Sequence, residues 1–184
     1  GQVSPQPGDL EFDASGLIAV PGFVQGHLHY CQTLFRGLAD DLALIDWLQQ
    51  RIWPLEAAHD AASVRLSAEL SVVELLRGGT TTTQVMESVH HTEASFSVAH
   101  ASRMLTIMGN CLMDVAGPGV PANWVTSAAD GMAQAAALHQ QFDGLDQRLH
   151  YAISPRFILS CSDELAGLAA AYARDHGLRT HTHA

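Results

Sequence analysis

Lysine is missing altogether from these 184 residues; all nine basic side chains are arginines. Against them stand 19 aspartates and glutamates, for a net charge of −10. A balance that acidic leaves no general electrostatic footprint for nucleic acid or an anionic membrane surface, so neither is expected as a partner. Cysteine is scarce too: Cys31, Cys111 and Cys161 are odd in number, far apart and without a Cys-x-x-Cys pair. That pattern argues against a disulfide scaffold and for a reducing compartment, with the thiols as small buried apolar groups. No apolar run approaches the ~18 residues of a membrane-spanning helix. Residues 1–8 have neither a basic n-region nor an apolar h-region, so no signal peptide is expected and the cytoplasm is the expected location. No Gly-x-Gly-x-x-Gly follows a strand-like segment, which disfavours a dinucleotide-binding fold.

What is present describes a globular chain with a real core: 47% of residues are hydrophobic, and the mean hydropathy is +0.08. Apolar residues at 10–12 before a tight turn predict a small strand, and 18–29 predict a longer one bent at Pro21-Gly22. Helical spacing is read at 42–52, ending before Pro54, and again at 61–77. The second of these carries a stripe of Val64, Leu66, Leu70, Val73 and Leu76 and is closed by Gly78-Gly79. The β-branched run 80–86 predicts a buried strand. Beyond it come a helix at 92–103, a strand at 104–113, a Gly/Pro loop at 116–123 and an alanine-rich helix at 128–142. A strand at 149–154, a helix at 163–175 and a strand at 178–183 complete the pattern. Strands alternating with helices imply a parallel sheet of βαβ units. Five such units, the last cut short, fit either an open α/β sheet or the first five-eighths of an eight-fold barrel, which takes roughly 250 residues.

The chemistry concentrates where two strands end. His27-Leu28-His29 closes the first strand, and in a strand residues i and i+2 share a face, so both imidazoles project together while Leu28 turns away. His181-Thr182-His183 closes the last. Barrel active sites collect at the C-terminal ends of strands, so the two pairs could supply three ligands to one metal. Three protein ligands plus water make a tetrahedral catalytic site, and imidazole nitrogens about 2 Å from the ion suit zinc. Of the remaining histidines, His90 or His91 could line a pocket; His59, His100, His139, His150 and His176 read as structural or solvated.

The ordered text resembles the amidohydrolase superfamily, in its purine and triazine branch. The matching residues begin with Pro21-Gly22-Phe23 before the first His-x-His, then Gln32-Thr33-Leu34-Phe35-Arg36-Gly37 and Asp40-Asp41-Leu42. They continue through Trp47-Leu48, Trp53-Pro54-Leu55-Glu56, Gly79-Thr80-Thr81-Thr82 and Met113-Asp114. Ser154-Pro155-Arg156-Phe157, Ser160-Cys161-Ser162 and His181-Thr182-His183-Ala184 complete the set. The resemblance implies a partial (β/α)₈ barrel, strands one to five, over residues 18–184, preceded at 1–17 by the remnant of a β-sandwich domain. It implies one zinc ion held by His27, His29 and His183, since the family's third ligand opens a His-x-x-Glu pattern that fits His183 and not His181. The general acid/base glutamate would then fall two positions past Ala184, which makes the sequence look like an internal fragment. Binuclear relatives bridge two metals with a carboxylated lysine; with no lysine here, a single metal is implied.

The implied activity is hydrolytic deamination of a purine base or nucleoside, with release of ammonia. The resemblance gives Gln32, Arg156 and Phe157 to the heterocycle and Glu56 to ribose hydroxyls. The plainer readings are solvated polar side chains for Gln32 and Arg156, and a helix N-terminal charge for Glu56. The alternatives are a triazine-type chloro- or aminohydrolase and a catalytically inactive fragment serving as an association module, since five strands leave an open edge prone to pairing. Self-association into a homo-oligomer is compatible with either. A cytidine-deaminase type of zinc site is excluded, for want of a Pro-Cys-x-x-Cys.

Overall fold

The computed structural model describes residues 4–183. Six parallel strands make up the sheet: β1 (Phe23–Leu28), β2 (Thr80–Met86), β3 (Leu105–Gly109), β4 (Cys111–Leu112), β5 (Leu149–Pro155) and β6 (Arg179–Thr180). β3 and β4 both pair with β5 in one continuous register, Thr106 opposite Leu149 and Cys111 opposite Ser154, so they form a single lane broken at Asn110. The break has a local cause. Asn110 is buried, and its side-chain oxygen accepts a hydrogen bond from the Tyr151 hydroxyl at 2.5 Å. The sheet therefore has five lanes in sequence order, with all C-terminal ends on one side.

Helices return the chain between lanes. After β1 come a 3₁₀ turn (Tyr30–Phe35), α1 (Leu44–Trp47), a π turn (Leu48–Ile52), α2 (Trp53–Ala57) and α3 (Ala61–Arg77); α4 (Thr92–Ser102), α5 (Ala128–Phe142) and α6 (Asp163–His176) follow the next three lanes. The starts of α3, α5 and α6 are set by short polar side chains that satisfy free backbone N–H groups. Asp60 and Ser63 form a capping box on α3, Ser127 caps α5 and Ser162 caps α6. Gly177 stops α6 in the left-handed region, where a side chain would be strained.

The main core lies between sheet and helices, where Val85, Phe96, Met108, Phe142, Leu149, Ile153 and Leu165 are buried. Phe96 stacks on Phe142 with ring centroids 4.5 Å apart, an arrangement worth about 0.5–1.5 kcal/mol beyond the area it removes from water. A second cluster of Ile52, Trp53, Met86, Val89, Cys111, Met113 and Trp124 roofs the C-terminal ends of the strands. It gives the adjoining site an apolar wall.

Several expectations need correction. Residues 10–12 form no strand; Leu10 is 99% and Phe12 83% exposed, with nothing among the described residues to cover them. The first strand is Phe23–Leu28 only, because Ile18 and Val20 find no pairing partner among the described residues. The last is reduced to Arg179–Thr180, and the chain from His181 on leaves the ladder to enter the site. The helix expected to end before Pro54 runs on to Ala57. The Trp53 N–H reaches back five residues to the Leu48 carbonyl, and this widened turn makes room for the proline ring.

The expected stripe of α3 is also turned around. Its buried face is Val64, Ser67, Ala68, Ser71 and Val72, while Leu66, Leu70, Val73 and Leu76 face outward. The small residues let the helix approach the 3₁₀ turn, and the Ser67 hydroxyl donates to the Tyr30 carbonyl at 2.7 Å. Larger side chains there would hold the two backbones apart.

Candidate metal centre

Lanes one and five are four lane spacings apart. Neighbouring strands lie ~4.8 Å from each other, so a flat sheet would separate those lanes by about 19 Å, beyond the combined reach of two imidazoles. Yet His183 Nε2 lies 3.2 Å from His27 Nε2 and 3.3 Å from His29 Nε2. The sheet must curl to bring its ends together, as barrel strands do. A bulge helps to aim the rings: Gln25 pairs with Thr83 and Leu28 with Val85, leaving one extra residue on β1 just before the histidines.

What the three histidines can do follows from their outer nitrogens. His29 Nδ1 sits 2.6 Å from the Met86 carbonyl, and His183 Nδ1 2.8 Å from the Arg156 carbonyl. A carbonyl only accepts, so both Nδ1 atoms carry the proton and both Nε2 atoms present lone pairs. Burial lowers the His29 pKa to about 4, which keeps that ring neutral at pH 7, and burial followed by the nearby His183 lowers that of His27. Lone pairs facing one another at this range repel unless a cation lies between them. Nitrogens 2.0–2.1 Å from a tetrahedral zinc ion stand about 3.3 Å apart, which agrees with the observed spacings. Among the described residues, His27, His29 and His183 are the one group whose ligand atoms converge in this way. These residues fit a zinc ion.

The other expected site residues gather beside the metal centre, though not as free hydrogen-bonding groups. Gln32 Nε2 donates to Glu56 Oε1 at 2.6 Å, and Arg156 Nη1 donates to Glu56 Oε2 at 2.9 Å. Glu56 is 2% and Arg156 3% exposed, so the solvated reading of Arg156 is wrong. Glu56 does occupy the first turn of α2, but its charge is matched by Arg156. Burial alone would lower the arginine's pKa; the Glu56 carboxylate outweighs it and keeps the guanidinium charged. Phe157 is half-buried against the second core cluster. His90 packs edge-on against Trp124 and reaches the Asn123 carbonyl, away from the three converging rings.

Sequence reasoning missed two residues. One is His181, whose Nε2 lies 2.8 Å from His27 Nδ1; the second His-x-His pair was its signal in the sequence. The other is Glu87, fully enclosed after β2, with the backbone N–H groups of Cys31 and Ser88 donating to its two oxygens. Burial pushes its carboxyl up to about 7, against the pull of those donors. The folded state therefore holds a proton that the unfolded chain has lost above about pH 4.5, and this group's contribution to stability falls as pH rises through that window. Replacing Glu87 with Gln removes the dependence. Relative to the parent, E87Q is expected to gain about 3 kcal/mol between pH 4.5 and pH 7, read from urea melts at both pH values. Using the difference cancels the opposite contribution of the buried neutral histidines.

The sequence pattern of the amidohydrolase family matches residues 18–184, which takes in all three histidines. The chain belongs to the amidohydrolase family. It is 33% identical over 170 residues to the 5-methylthioadenosine/S-adenosylhomocysteine deaminase of Thermococcus onnurineus, covering 92% of this chain and 38% of that protein. Escherichia coli guanine deaminase superposes with a TM-score of 0.82 at 32% identity, over 89% of this chain and 38% of that one. A zinc-bound adenosine deaminase from Xanthomonas campestris gives 0.78 at 32% identity, over 89% and 36%. This amidohydrolase chain thus spans a little over a third of the length of the relatives it matches, and its five curled lanes are part of a (β/α)₈ barrel.

Proposed function

We propose that His27, His29 and His183 hold one zinc ion and that the site belongs to a hydrolytic deaminase of a purine base or purine nucleoside. The convergence of three Nε2 atoms, two of them on rings locked by carbonyl acceptors, carries this reading. A zinc ion there supplies Lewis acidity that makes a water molecule acidic enough to attack near neutral pH. Water adds to the ring carbon bearing the amino group, and the amine departs as ammonia. The three imidazoles bind and orient, those of His29 and His183 with Nδ1 held by backbone carbonyls. In the family's His-x-x-Glu pattern the proton shuttle would be the glutamate of that motif.

Gln32, Arg156 and Phe157 face the heterocycle in this reading, and Glu56 acts from behind by holding both polar side chains in place. The names of the related proteins support a purine-like substrate. Residues 1–17 read as the remnant of a β-sandwich, and the three free thiols support a reducing compartment such as the cytoplasm.

Ammonia release is the direct test, over a panel of guanine, 5′-deoxyadenosine, S-adenosylhomocysteine and a triazine. The expected result is release from at least one purine compound by folded, zinc-loaded protein, abolished by a chelator and restored by zinc. Release from the triazine alone would move the substrate class. No release from any of them would favour an association module.

A further inference from the structure

Each ligand ring is steadied through its outer nitrogen, but the partners differ in kind. His29 and His183 donate to backbone carbonyls, whose role is fixed by chemistry. His27 alone is held by another side chain, His181, and two imidazole nitrogens 2.8 Å apart can share a proton in either sense. If His181 Nε2 carries it, a neutral His27 must place its own proton on Nε2, which then points at His183 Nε2 and cannot ligate. If His27 Nδ1 carries it, Nε2 is bare and faces the cluster. Only this second arrangement makes a three-histidine site, and it requires a bare Nε2 on His181.

His181 is built to stay where it is. It is 8% exposed, its ring packs edge-on to His27 with centroids 4.9 Å apart, and its backbone N–H donates to the Ile153 carbonyl at 2.8 Å. Its Nδ1 is enclosed and has no hydrogen-bond partner among the described residues. In the second arrangement the proton of a neutral His181 sits on this Nδ1.

We propose that His181 is a positioning residue that accepts the Nδ1–H of His27 and so turns the Nε2 lone pair of His27 toward the metal. The inference rests on the zinc reading above. Partners of this kind fix ring orientation and raise ligand basicity, and their loss costs about 10–100-fold in metal affinity. Phenylalanine at 181 keeps the ring volume and removes the acceptor; glutamine restores an acceptor oxygen. Zinc affinity is measured by competition with a chromophoric chelator.

H181F is expected to bind zinc about 10–100-fold more weakly than the parent, and H181Q to recover most of the loss. Equal affinity of H181F and the parent would overturn the proposal, and so would H181Q binding as weakly as H181F. A second measurement needs no variant. In ¹⁵N-labelled, zinc-loaded parent protein, long-range ¹H–¹⁵N spectra should show His181 protonated at Nδ1 and bare at Nε2; a proton on Nε2 overturns the proposal whether or not H181F folds. A parent that retains no zinc at all would remove the metal reading itself, a failure distinct from all of these.

Discussion

Replacing His29 with alanine should leave a folded protein that no longer retains zinc. Metal content by mass spectrometry is expected to fall from one ion per chain to near zero after equilibration with a chelator. The affinity loss should exceed about 100-fold, above the range for residues that act only through a ligand. His29 is the sharpest choice of the three because its ring is fixed twice, by the Met86 carbonyl at 2.6 Å and by the burial that keeps it neutral. Two imidazoles remain in H29A, and two cannot close a tetrahedral site around a zinc ion. Circular dichroism separates this outcome from unfolding. Zinc should raise the melting temperature of the parent in proportion to the logarithm of its concentration and leave that of H29A unchanged. A variant that still holds one zinc tightly would show that the converging rings are not the metal site.

The second large effect lies beneath the metal centre, in the pair formed by Glu56 and Arg156. Substituting Arg156 with Met leaves the Glu56 carboxylate buried without its cation, which costs about 3–5 kcal/mol. In a chain of this size each kcal/mol shifts the melting temperature by roughly 2–4 °C, so a drop on the order of 10 °C is expected. The double substitution E56L/R156M removes both charges and should recover much of that loss, because the penalty belongs to the orphaned charge and not to the volume. Zinc affinity should fall in R156M as well. The Arg156 carbonyl accepts the His183 Nδ1–H, and loosening the side chain loosens the segment that orients this ligand. Thermal melts of the parent, R156M and E56L/R156M, with zinc titrations alongside, separate the two effects. A single mutant as stable as the parent would mean that the ion pair contributes little.

Much of this organisation was legible in the sequence, for reasons that are local. The helices expected at 61–77, 128–142 and 163–175 are found at Ala61–Arg77, Ala128–Phe142 and Asp163–His176. Strand 80–86 was visible because four consecutive threonines followed by apolar residues favour extended backbone. The errors share one physical origin. Leu66, Leu70, Val73 and Leu76 make a better apolar stripe than Ser67 and Ser71, but burial follows the face that permits close approach and satisfies the Tyr30 carbonyl. Residues 10–12 have the composition of a strand and no partner to pair with among the described residues. Pro54 reads as a stop, and a turn widened by one residue lets the helix continue through it.

Sequence by itself determined the alternation of strands and helices, the two His-x-His pairs and the shared face of His27 and His29, because a two-residue repeat along a strand is a property of the backbone at that point. It also carried the family. The family pattern in the sequence already chose His183 to join His27 and His29; the tertiary structure alone decided that His181 stands behind them, against His27 Nδ1. It alone decided, too, that Gln32, Glu56 and Arg156 bond to one another, and that Glu87 is sealed from water. These are relations between residues from 24 to 156 positions apart, and they exist only because the sheet curls and brings its first and last lanes together.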